Sequence, residues 1–170
     1  FNGNYSYGLL VDTLGSIIAN NVTANNSFTS GGAIFSNNHG ISSSFVFNST
    51  GNITLTGVNT FTGNKTLNLS VASYGIISLN SVTASGSVSN SGATIDNSSS
   101  ATPKTITLSG NNVFSGNWNI GVLITSKGLI TVNNLTASNN GVSGSSGYGA
   151  NLNNSSASPA AGITLNGTNN

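Results

Sequence analysis

The chain has 170 residues; Asn (30), Ser (30), Thr (19) and Gly (22) account for 101 of them, and only 3% are charged. Low charge beside 36% hydrophobic residues excludes a charge-rich disordered chain, which combines high net charge with little apolar content. Three Lys and no Arg argue against a nucleic-acid partner, since neutralising phosphates takes a row of cations, and no run reaches the roughly 18–20 apolar residues that cross a bilayer.

In chain order, the sequence opens on Phe1-Asn-Gly-Asn4 and continues to Ile17-Ile-Ala-Asn-Asn-Val-Thr-Ala24. A Ser- and Asn-rich stretch follows Ala33 (36–50, including the single histidine, His39), and then Ile53-Thr-Leu-Thr-Gly57 runs into Phe61-Thr-Gly-Asn64. The first pattern returns as Ile77-Ser-Leu-Asn-Ser-Val-Thr-Ala84, and the second as Ile106-Thr-Leu-Ser-Gly110 with Phe114-Ser-Gly-Asn117. The first appears a third time as Ile130-Thr-Val-Asn-Asn-Leu-Thr-Ala137. Extra length at 142–148 precedes the last element, Ile163-Thr-Leu-Asn-Gly167.

The spacing identifies the architecture. Phe1 to Ala24, Phe61 to Ala84 and Phe114 to Ala137 are each 23 residues, whereas Ala24 to Phe61 is 37 and Ala84 to Phe114 is 30. The repeat is thus a pair of coils, 53–60 residues long, one coil constant and one carrying insertions. Each coil has the length of one turn of a stacked solenoid. Apolar residues alternate over short runs, as in Ile77, Leu79, Val82 and Ala84, which is strand periodicity. Asn, Gly and Ser between the runs suit tight corners with left-handed backbone. The predicted fold is an all-β parallel solenoid, a right-handed β-helix of about six coils.

Ile77, Ile106 and Ile130 are expected to point inward, with Phe61 and Phe114 alternating with Ala24, Ala84 and Ala137 to fill a narrow core. Recurrent Asn20, Asn80 and Asn133, and likewise Asn64 and Asn117, are expected to form side-chain amide ladders at the corners. Trp118 and Lys65 both follow Gly-Asn directly, so that column should face outward, with Trp118 a candidate for lateral contact.

The chain begins in the back half of one motif and stops at Gly167-Thr-Asn-Asn170, the counterpart of Gly110-Asn-Asn-Val113. It has no initiating Met and no charged cap at either end. The expectation is one solenoid segment, 1–170 (repeats near 1–60, 61–113 and 114–170), forming a window of a longer repetitive chain or stacking end to end with other copies.

The I-x-L-N-x-V-T-A and N-x-F-S-G-N segments resemble the right-handed parallel β-helix repeats of secreted bacterial surface proteins: autotransporter passengers, filamentous-haemagglutinin-like adhesins and giant repetitive surface proteins. The resemblance covers the whole chain and is one of repeat type. It implies secretion and a cell-surface location, but no activity.

Chemistry is sparse. Asp12 and Asp96 are the only carboxylates, too few for a calcium cage and far apart in sequence for a hydrolytic pair. His39 lies in loop-like Ser-Asn-Asn-His-Gly without an evident partner. No catalytic residue, metal site or cofactor is expected. Sequons at Asn21, Asn52, Asn64 and Asn134 are common by chance in such a composition. The expected function is structural: an extracellular fibre, sheath or stalk that self-associates end to end or laterally. The alternative is an adhesive or carbohydrate-binding surface module using the exposed aromatics, and more remotely an ice-binding face built on the Thr54, Thr107 and Thr164 column.

Overall fold

The computed structural model describes residues 1–38, 50–142, 147–156, 159 and 161–170; His39 and most of the 36–50 stretch lie outside them. The first coil carries β1 (Leu9–Asp12) and β2 (Ile17–Asn20), and the second β3 (Ala33–Ser36), β4 (Ile53–Thr56) and β5 (Asn59–Thr62). The third holds β6 (Leu69–Ala72), β7 (Ile77–Asn80) and β8 (Val82–Ser85), and the fourth β9 (Ala93–Asp96), β10 (Ile106–Ser109) and β11 (Asn112–Val113). The fifth holds β12 (Val122–Thr125), β13 (Ile130–Asn133) and β14 (Leu135–Thr136), and the sixth β15 (Ala150–Asn153) and β16 (Ile163–Asn166).

Every strand pairs in parallel with its counterpart in the adjacent coil. Three sheets result, in the orders β1-β3-β6-β9-β12-β15, β2-β4-β7-β10-β13-β16 and β5-β8-β11-β14, called sheets one, two and three below. Among the described residues there is no helix. The chain is an all-β parallel solenoid that visits the three sheets in turn.

Register follows the hydrophobic pattern, because a one-residue slip would turn every apolar side chain outward. Ile17, Ile53, Ile77, Ile106, Ile130 and Ile163 pair in succession down sheet two. Ile77, Ile106 and Ile130 are fully buried, as are Phe61 and Phe114. Phe61 pairs with Ala84, and on its other side the Ala24 amide bonds the Thr60 carbonyl at 2.9 Å. Each ring therefore fits between methyl groups one coil above and below. Burying such a side chain contributes roughly 1.5–3 kcal/mol.

Like residues recur at every second coil, and this changes the expected ladder of Asn20, Asn80 and Asn133. They share one column of sheet two, with Thr56 and Ser109 between them. A two-coil separation is about 9.6 Å, so their amides do not meet. The column is mixed instead: Asn20 Nδ2 donates to Thr56 Oγ1 (2.8 Å), Ser109 Oγ donates to Asn80 Oδ1 (3.0 Å), and Asn166 Nδ2 donates to Asn133 Oδ1 (3.0 Å).

The same alternation sets the turn from sheet one to sheet two. Odd coils cross in four residues (13–16, 73–76, 126–129), whereas even coils use 16, 9 and 9 (37–52, 97–105, 154–162). In the short turns a hydroxyl accepts from the glycine amide two residues on: Thr13 from Gly15 (3.2 Å), Ser73 from Gly75 (2.8 Å) and Ser126 from Gly128 (2.9 Å). In the long ones an Asn at the same position closes the loop base. Asn37 Nδ2 donates to the Gly51 carbonyl (2.8 Å), Asn97 to that of Lys104 (3.1 Å) and Asn154 to that of Ala161 (2.7 Å). The sequence reading places extra length only after Ala33 and before Gly149. The 97–105 and 154–162 loops escape it because their Asn-Ser-Ser and Pro content reads as ordinary turn.

Candidate functional site

The corner joining sheet three to the next coil's sheet one has the same three-residue plan throughout. First comes a residue with left-handed backbone: Gly3 (φ 65°), Asn26 (56°), Gly63 (64°), Gly86 (68°), Gly116 (66°) and Asn139 (55°). Only Gly adopts this region freely, with Asn the best tolerated alternative. The chain reverses there, sending the next side chain inward and the one after it outward.

The inward residues are Asn4, Ser27, Asn64, Ser87, Asn117 and Asn140, and Asn64 and Asn117 are fully buried. Here a continuous amide chain does form. Asn64 Nδ2 donates to Asn68 Oδ1 (2.8 Å), Asn68 Nδ2 to Asn117 Oδ1 (3.2 Å), and Asn117 Nδ2 to Asn140 Oδ1 (3.0 Å). The same amides hold the backbone. Asn64 Oδ1 accepts from the Ser27 amide (2.9 Å) and Asn117 Oδ1 from that of Ser87 (3.0 Å), while Asn140 Nδ2 donates to the Phe114 carbonyl (2.8 Å). A buried amide left unpaired would cost about 1–3 kcal/mol; satisfied, it fixes the corner. Glycine makes the room: a Cβ on Gly92 would lie 2.5 Å from Asn117 Nδ2, and one on Gly121 2.6 Å from Asn140 Nδ2.

The outward residues form a ridge. The Phe28 amide donates to the Asn4 carbonyl, Lys65 to Ser27, Val88 to Asn64 and Trp118 to Ser87, at 2.9–3.1 Å. Parallel register then stacks Tyr5, Phe28, Lys65, Val88 and Trp118 in one column rising about 4.8 Å per coil. All five side chains are exposed: Tyr5 79%, Phe28 67%, Val88 49% and Trp118 44%, with Lys65 in the exposed class.

No family model, curated protein or solved structure matches this chain. What the surface offers chemically therefore rests on its own groups.

Asp12 and Asp96 share a column of sheet one through the pairs Asp12–Ser36, Ser36–Ala72 and Ala72–Asp96. Three coils separate them, about 14 Å, beyond the 5–9.5 Å of paired-carboxylate hydrolysis. Asp96 instead accepts from the Ser98 amide at 2.7 Å. Among the described residues no group of three His, Cys, Asp or Glu could hold a metal. Lys127 Nζ donates to the Ser100 carbonyl at 3.1 Å, pinning the 97–105 loop. The sequon residue Asn64 is buried, while Asn21 and Asn52 accept from the Val58 and Ile76 amides, both at 2.9 Å. In the Thr column, Thr54, Thr107 and Thr164 are interleaved with Ser78 and Thr131.

Sequence reasoning found Asn64, Asn117, Lys65 and Trp118, because Gly-Asn marks them. It missed Asn68 and Asn140 in the amide chain, and the alignment of Tyr5, Phe28 and Val88 with Trp118. The usable signal was the left-handed position itself, which admits Asn26 as well as Gly.

Proposed function

We propose that this chain is a stiff structural element of an extracellular fibre, sheath or cell-surface stalk, secreted and associating with further copies. The observation that carries the reading is the internal one. An unbroken Ile, Leu, Val and Phe core is combined with buried Asn at the corners, Asn59, Asn64, Asn97, Asn112 and Asn117 all being fully enclosed. Such a rod needs neither disulfides nor ion pairs to hold its coils. A near-neutral surface, net charge +1, puts little repulsion between neighbouring rods. Three Lys and no Arg give trypsin-like proteases few cleavage sites.

Electron microscopy with diffraction on assembled material tests this. Filaments or sheets with a strong axial reflection near ~4.8 Å are the expected result. Dispersed particles without axial order at any concentration would overturn it.

The exposed ridge favours a second reading, an adhesive surface module that contacts glycans, in which the rod serves as the scaffold for a row of recognition side chains.

A further inference from the structure

We infer that the ridge of Tyr5, Phe28, Lys65, Val88 and Trp118 is a binding track for an extended neutral polysaccharide lying along the solenoid axis. This rests on the adhesive reading and is independent of whether the rods polymerise.

Four of the five ridge side chains are large and apolar or aromatic, and they stand 44–79% exposed in a column that the corner backbone holds in register. Sugar rings present apolar C–H faces edged by hydroxyls. They are recognised by aromatic faces for stacking, with hydrogen-bonding groups beside them. Both flanks of the ridge suit that partner. On one side runs the left-handed column, where Gly3 and Gly116 have nothing within 4 Å of a hypothetical Cβ and Gly86 only a backbone nitrogen at 3.8 Å. Between them Asn26 lies over Gly63, its Oδ1 2.6 Å from a hypothetical Cβ, and Asn139 stands in the same column, so a flat chain approaches backbone at Gly3, Gly86 and Gly116 and meets side-chain amides at the other levels. On the other side stand exposed Thr29 and Ser89, one residue past Phe28 and Val88; their hydroxyls donate to the Tyr5 and Lys65 carbonyls and keep lone pairs that can accept from sugar hydroxyls. The rise of about 4.8 Å per coil is comparable to the length of one pyranose unit, so successive ridge residues face successive sugars.

Charge decides the class. Lys65 is the single ionic group on the ridge, flanked by Phe28 and Val88 in the adjacent coils. A polyanion would find one cation in five positions, whereas a neutral chain meets three aromatic faces and the apolar Val88 at the other four.

Trp118 is the only tryptophan, so its emission reports directly on the ridge. The intact chain is titrated with soluble β-linked glucan and assayed for sedimentation with cellulose and chitin. The expected result is a blue shift of the emission on titration and retention on at least one solid. Phe28→Ala and Trp118→Ala should each lower retention about tenfold, the loss typical of removing an aromatic anchor. Ile18→Ser, which alters an exposed side chain on sheet two, should leave it unchanged. Circular dichroism of each variant separates lost binding from lost fold. No shift and no retention, or equal loss in Ile18→Ser, overturns the proposal. So does emission that depends on protein concentration alone, which would make the ridge a contact between copies. None of these outcomes alters the axial diffraction expected of the rod, so the two readings fail separately.

Discussion

Asn68 donates through Nδ2 to Asn117 Oδ1 at 3.2 Å, across 49 residues of sequence. This one bond joins the Asn64–Asn68 pair to the Asn117–Asn140 pair and makes a single buried amide chain out of two local ones. It exists because Asn68 replaces the glycine that Gly32 and Gly92 supply in the adjacent coils, and the extra amide bridges the level where Ser87 is too short to do so.

The Asn117 side chain makes four bonds, accepting from Asn68 and the Ser87 amide and donating to Asn140 and the Ala84 carbonyl. Asn117→Ala strands several buried groups at about 1–3 kcal/mol each, so it should destabilise by at least ~3 kcal/mol. Asn80→Ala, on the half-exposed mixed column, should cost about 1 kcal/mol. Equal denaturant midpoints for the two variants would show that the buried chain adds nothing special.

Ser27 and Ser87 occupy equivalent buried positions with different bonding. The Ser87 hydroxyl donates to the Thr66 carbonyl at 2.6 Å, whereas the Ser27 hydroxyl has no partner among the described residues. Ser27→Ala should therefore be neutral or slightly stabilising, and Ser87→Ala should cost roughly 1 kcal/mol. Urea denaturation of both distinguishes them, and a larger loss in Ser27→Ala would contradict the assignment.

Gly116 and Gly121 lie five residues apart and should respond oppositely. Gly116 has φ 66° and open space beside it, and Asn26 and Asn139 already fill its column at 56° and 55°. Gly116→Asn should stay within about 1 kcal/mol of the parent. A Cβ on Gly121 would lie 2.2 Å from the Gly149 carbonyl oxygen, so Gly121→Ala must push coils apart and should lower the melting temperature by several degrees or more. A tolerated Gly121→Ala would mean that the coils are less tightly stacked than described.

Two coils form the interchangeable unit. Deleting 61–113 joins Thr60 to Phe114 and keeps the alternation of Phe with Ala and of Asn with Ser. Deleting 61–83 joins Thr60 to Ala84, leaving Ala24 against Ala84 and a void where Phe61 was. Repeat stability adds by neighbours, so the longer deletion should retain cooperative unfolding. The shorter one should lose about 3–5 kcal/mol beyond it, the cost of an emptied phenylalanine site. Calorimetry of both truncated chains checks this; the shorter deletion proving the more stable would refute a two-coil unit.

The sequence by itself determined the coil length, the two-coil period and the core. Ile-x-Leu runs and the Phe/Ala alternation can bury their apolar side in only one register, and register in a parallel stack is set by that burial. It did not determine which polar residues lie inside. Asn64 and Asn80 look alike in the chain, yet one is fully enclosed and the other half-exposed. The difference is set by the left-handed residue that turns the corner before Asn64 and by the glycines of the adjacent coils that leave space for its amide. The ridge likewise belongs to the tertiary structure. Tyr5, Phe28 and Trp118 are scattered over more than a hundred residues, and only the stacking of corners brings them into one line.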